Sequence, residues 1–137
     1  MNTRFKEYYM DLALRTAANS RATRLQVGCI IVQGDAIISQ GWNGTPKGFD
    51  NNCEEEVEGQ LRTKPEVVHA EMNAIAKVAK GTHSSDGAEM FITHSPCYDC
   101  SKAIIQSGIK KVYFKDSYRD NRPIEFLKQA GIEVEQI

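Results

Sequence analysis

Between Thr3 and about Ser20, Phe5, Tyr8, Tyr9, Leu12, Ala13 and Thr16 recur at steps of three and four, which predicts an amphipathic first helix. The period then changes. Val27 to Gln33 and Ala36 to Gln40 are β-branched runs split by Gly34-Asp35, a short turn signal, and predict an antiparallel hairpin. From Gly41 to about Pro65 no period survives. Gly44, Pro46, Gly48, Asp50, Asn51 and Asn52 predict a long loop there, with a helical turn through Glu54 to Glu58. Beyond it, Val68 to Lys80 is Ala-rich and helix-favouring, with Gly81 as its stop. Ala88 to Thr93 predicts a strand, and Pro96 sits in the first turn of a helix running through Ser107 and ended by Gly108. Lys111 to Lys115 is a strand, Pro123 to Ala130 a helix, and Ile132 to Gln136 a last strand. Helix and strand alternating after a hairpin predicts a single layered α/β domain over residues 1–137, its helices covering a mixed sheet.

Composition narrows what such a domain does. Seventeen Lys and Arg against eighteen Asp and Glu leave a formal charge of −1, without the basic field that holds polynucleotides. A small free ligand suits this balance better than a duplex. The first segment carries Arg4, Lys6, Glu7 and Asp11, which breaks any apolar signal-peptide centre, and no later run reaches membrane-spanning length. The expectation is a soluble, cytoplasmic protein without a membrane partner. In that setting the C-x-x-C at Cys97 and Cys100 points to metal or redox chemistry before a disulfide.

Two motifs open predicted helices: His69-Ala70-Glu71 and Pro96-Cys97-Tyr98-Asp99-Cys100. Positions three apart share a helical face, so Cys97 and Cys100 can direct two sulfurs at one ion, and a helix N-terminus favours their thiolates. With His69 this makes a three-ligand set, the count of a catalytic zinc that keeps one position open for water. Glu71 is the natural general acid and base. It shares that site only if its helix points in end-on, because residues two apart do not lie on one helical face. Other assignments stay open on sequence. The two cysteines would serve a redox pair, and a structural zinc would take a fourth ligand from Cys29, Cys53, His83 or His94. Cys29, among Val27, Ile30 and Ile31, fits a small core residue, and Cys53 a loop thiol.

The H-x-E and P-C-x-x-C pair is the signature of zinc deaminases, in which zinc activates a water for attack on an amino-bearing ring carbon. Wider pieces narrow the resemblance. Thr23-Arg24 with Val27-Gly28-Cys29, Gly41-Trp42-Asn43-Gly44-Thr45-Pro46, His69 to Ile75, Ser95 to Cys100 and Gln106 to Lys111 occur in one order. In these residues the chain resembles the deoxycytidylate (dCMP) deaminase family of the cytidine deaminase-like superfamily. The resemblance implies a three-layer αβα fold with a central mixed five-stranded sheet, and hydrolysis of dCMP to dUMP and ammonia. It also implies a homohexamer activated by dCTP and inhibited by dTTP, with Mg2+ accompanying the regulatory triphosphate. By position, Asn43 looks like a sugar and base contact, Arg24 like a 5′-phosphate contact, and Ala70 like part of the substrate pocket, with Tyr118 or Arg119 closing it. Gly41, Trp42, Gly44, Thr45 and Pro46 fall where the family receives the effector. A polynucleotide-editing deaminase, another base or nucleoside deaminase, and a non-enzymatic zinc-stabilised module are the competing functions.

Overall fold

The computed structural model describes residues Met1–Ile137. Its elements in chain order are α1 (Thr3–Ala17), β1 (Gly28–Gln33), β2 (Ala36–Trp42), β3 (Glu54–Val57), β4 (Gln60–Thr63), α2 (Ala70–Ala79), β5 (Glu89–His94), α3 (Tyr98–Gln106), β6 (Lys111–Asp116), α4 (Arg122–Gln129) and β7 (Glu133–Gln136). Five strands form one mixed sheet in the order β2-β1-β5-β6-β7. β1 pairs antiparallel with β2 and β5, while β5, β6 and β7 run parallel, each joined to the next by a helix. This is the expected αβα sandwich.

Both faces of the sheet are covered, so its central strands are almost wholly apolar. On one face α1 packs Tyr9, Met10 and Ala13 against Ile30, Val32, Phe91 and Tyr113. Phe91 and Tyr113 stack there with ring centroids 4.3 Å apart. On the other face Ala70, Ala74 and Val78 of α2, Ile104 of α3 and Leu127 of α4 meet Cys29, Ile31, Met90, Ile92 and Val112. The helical period of α1 is as expected, but Met10 and Ala17 join its buried stripe while Phe5 and Tyr8 are exposed. The helix ends at Ala17, with Arg15 in its last turn.

Two glycines let helices close on opposite faces of the hairpin. A Cβ at Gly28 would lie 2.1 Å from the Ala13 carbonyl oxygen of α1, and one at Gly41 2.4 Å from the Ala70 oxygen of α2. Nearby, a bulge at Ile31 and Val32 inserts Ile38 into β2, so that Ile38 as well as Ser39 turns toward α2; the Ser39 hydroxyl donates to the Ala74 carbonyl at 2.7 Å. On the outer strand, Lys77 of α2 donates to the Gln40 carbonyl at 2.9 Å and lies 4.8 Å from the centre of the Trp42 ring.

The acidic stretch departs from expectation. Glu54 to Val57 is a strand, not a helical turn, and pairs with β4 in a two-stranded sheet of its own. Its tight connection uses Glu58 and Gly59, both with positive φ (53° and 78°), a conformation that a helix excludes.

Candidate active site

α2 and α3 point their N-termini at the same place, and the site is made of their caps. His69 is the N-cap of α2 and Cys97 the N-cap of α3; both have extended backbones. Pro96 therefore precedes its helix instead of occupying the first turn. Cys97 and Cys100 are brought together by capping, not by sharing a helical face: the Cys97 sulfur accepts the Cys100 N–H at 3.5 Å. His69 Nδ1 lies 3.6 Å from the Cys97 sulfur and 3.3 Å from that of Cys100. No other group of three or more His, Cys, Asp or Glu side chains in the structure is close enough to hold an ion.

Those spacings suit zinc. Tetrahedral bonds of about 2.0 Å to nitrogen and about 2.3 Å to sulfur separate the two donor types by about 3.5 Å. Proton affinities agree. The Cys97 thiol is brought down to about 4, first by the Cys100 side chain and then by His69. Cys100 is driven up, first by its hydrogen bond with Cys97 and then by burial. The remaining proton stays with Cys100 beside a Cys97 thiolate, and a dication in that position would hold both as thiolates.

Glu71 follows in the first turn of α2 and is 4% exposed. Burial raises its carboxyl to about 7, against the lowering effect of the helix amide and of His69. Such a group holds and releases protons near neutrality. His69, Ala70 and Glu71 all line one cavity of about 350 Å³, which consecutive residues do only when a helix enters end-on.

The same cavity takes in Arg24, Asn43 and Tyr118, with Cys97 and His94. Asn43 is more than a wall residue. Its Oδ1 accepts the Val27 N–H at 2.8 Å and its Nδ2 donates to the Leu25 carbonyl at 2.8 Å, so its amide shapes the strand entry beside the pocket. Tyr118 stands with its ring 3.9 Å from that of His94, and its N–H donates to the buried Ser95 hydroxyl at 2.9 Å. Arg119 lies just outside, in an adjoining hollow with Tyr118 and Cys97.

Leu25, Thr63, Val67 and Ser95 line the cavity without having been expected there. Ser95 was readable from its place beside the Pro-Cys motif; Thr63 was not, because it arrives on the unforeseen hairpin. His94 and Cys53 take no part in the metal cluster. Cys53 is fully buried and donates to the Asn51 carbonyl, anchoring the loop. Of the effector-loop residues, Gly41 is buried beneath α2 and Trp42 packs under Lys77, while Gly44 pairs with Val68 in an isolated bridge. Thr45 donates to the Asp50 carbonyl, and Pro46 accepts the Phe49 N–H in a turn.

An αβα domain with a His, Cys and Cys cluster beside a buried glutamate is a deaminase-type metal enzyme. The chain belongs to the family defined by the cytidine and deoxycytidylate deaminase zinc-binding region, which matches residues 3–116. It is 33% identical to the deoxycytidylate deaminase of Enterobacteria phage T4 over 91% of this chain and 86% of that one. ComE operon protein 2 of Bacillus subtilis is 38% identical over 97% of this chain and 71% of its own length. Among solved structures, dCMP deaminase from the cyanophage S-TIM5, crystallised with dCMP and dUMP, superposes with a TM-score of 0.93 at 48% identity, covering 100% of this chain and 99% of that one.

Proposed function

We propose that this protein hydrolyses dCMP to dUMP and ammonia. The observation that carries the proposal is the convergence of His69, Cys97 and the buried Glu71 on a cavity that Arg24 also lines, with the Cys100 sulfur behind them completing the ligand set. The relatives named deoxycytidylate deaminase support it. Zinc held by the three ligands would activate a water for attack at C4 of the base. Glu71 would carry two protons in turn, one from the attacking water to N3 of the ring and the second from the oxygen newly bonded to C4 to the departing amine, which leaves as ammonia. Asn43 fixes the wall against which sugar and base rest, and the Arg24 guanidinium offers paired donors to the 5′-phosphate. Ala70 and Tyr118 bound the space around the ring.

The test is direct. Purified protein supplied with dCMP should release ammonia and dUMP, and Glu71→Gln should cut turnover by about 10²-fold or more while zinc content is unchanged. Full activity in Glu71→Gln would rule out this proton path, and no product from dCMP would rule out the substrate.

Regulation and assembly extend the same proposal. Activation by dCTP and inhibition by dTTP, with Mg2+ on the triphosphate and the effector held around Gly41 to Pro46, are supported by the family resemblance alone, as are a homohexamer and a cytoplasmic location. No helix is long and apolar enough to cross a membrane. Initial rates with and without each triphosphate, and sedimentation at several concentrations, test these points.

A further inference from the structure

Glu54 has no place in the metal and proton chemistry, yet it is 4% exposed on a hairpin that is otherwise largely open to solvent. A carboxylate stays in the interior only where fixed donors replace its water. Here Oε2 accepts the N–H groups of Thr23 at 3.0 Å and of Arg24 at 3.2 Å. Hydrogen bonds to an ionised acceptor are strong, so this stretch of main chain is held firmly.

The opposite strand holds the side chain of the same arginine. Thr63 faces Glu54 directly across the hairpin, and its hydroxyl accepts from Arg24 Nη1 at 3.4 Å. Arg24 and Thr63 both line the catalytic cavity, and Arg24 forms no ion pair in the structure. The arrangement is selective. A carboxylate bonded to the guanidinium would compete with an incoming anion, whereas one bonded to the backbone fixes the residue and leaves its charge available.

We propose that Glu54 is a positioning residue that, through the Arg24 main chain, aims the Arg24 guanidinium at the phosphate of the substrate nucleotide. This rests on the assignment of the cavity to dCMP. Ordering a loop arginine when substrate arrives costs affinity, and a loop already held in place avoids that cost. The effect therefore belongs to substrate binding and not to the reaction at the ring.

Steady-state kinetics on the zinc-loaded enzyme separate the two. Glu54→Ala should raise KM for dCMP by about tenfold and leave kcat within about threefold of wild type. Glu54→Gln keeps an oxygen able to accept from both amides and should restore most of the affinity. Amide exchange, which needs no substrate, should quicken at Thr23 and Arg24 in Glu54→Ala. If that variant does not fold, Glu54→Asp, which keeps the charge but withdraws the oxygens from the two amides by one methylene, takes its place, and a KM rise with constant kcat supports the proposal in the same way. An unchanged KM in the folded variant, or kcat falling in step with kcat/KM, would overturn it. Wild-type protein inert toward dCMP while the Thr23 and Arg24 amides remain protected would instead overturn the assignment of the cavity to dCMP.

Discussion

Glu71 is the residue on which burial acts most usefully. Its carboxyl, ordinarily at 4.5, sits at about 7 because it is out of water. In the metal-free protein the native state keeps a proton that the unfolded chain releases, so this group's contribution to stability falls as pH rises from 4.5 to 7. Cys97 acts in the opposite sense. Its thiol is lowered from 9.0 to about 4 by Cys100 and His69, so its contribution is present above 9.0 and is lost as pH falls toward 4. The sum of the two is uninformative; the difference between proteins is not. In chelator, the stability of wild type relative to Glu71→Gln should decline between pH 5 and pH 7.5, read from urea midpoints. A constant difference would mean that Glu71 is not protonated in the native state. The identity of these residues was legible in sequence because spacing records ligand type and count. Their geometry was not, since nothing in C-x-x-C says that its first sulfur caps the helix containing the second.

At the scale of elements, the site depends on how closely α2 approaches β2. Gly41→Ala would place a methyl 2.4 Å from the Ala70 oxygen and 2.6 Å from the Ala74 nitrogen, both backbone atoms. Helix and strand must then separate, at a cost of about 1–3 kcal/mol, and the cap that presents His69 and Glu71 moves with the helix. The expected result is a lower melting temperature together with weaker zinc retention on dialysis. Gly44→Ala is the control. A Cβ at Gly44 meets nothing within 4 Å, so stability should stay within about 0.5 kcal/mol of wild type. Most elements were legible because their periods differ, 3.6 along α1 and continuous apolar runs in the buried strands. β3 and β4 were not. Glu54, Glu55 and Glu56 carry no apolar alternation, and the hairpin is fixed by tertiary bonds from Glu54 to Thr23 and Arg24 that no local pattern encodes.

Across the whole molecule the three ligands join segments that are remote in sequence but adjacent in the fold. His69 follows the antiparallel half of the sheet, and the cysteines follow β5, the strand at which the pairing changes to parallel. Zinc should therefore raise the melting temperature of the chelated protein in a concentration-dependent way, by the mass-action relation for a ligand of the native state. The rise should be smaller than the native affinity alone gives, because Cys97 and Cys100 are close enough in sequence to bind zinc in the unfolded chain as well. His69→Ala should abolish most of the remaining gain. Calorimetry over a series of free zinc concentrations checks both statements.

The contact between Lys77 and the outer strand bears on how the protein behaves when concentrated. β2 runs Ala-Ile-Ile-Ser-Gln-Gly-Trp, without a charge, along an open margin of the sheet. Such a margin invites another strand to add to it. At the other margin β7 carries Glu133 and Glu135, paired with Lys111 and Lys6, and an added strand would have to bury these charged side chains. On β2 that protection comes from a neighbouring helix: the ammonium of Lys77 occupies the Gln40 carbonyl and covers the Trp42 ring. Lys77→Met, which keeps the length of the side chain and removes its charge, should leave the melting temperature nearly unchanged and lower the concentration at which light scattering first detects aggregates. A lysine that serves neither the metal nor the substrate would then be a determinant of solubility.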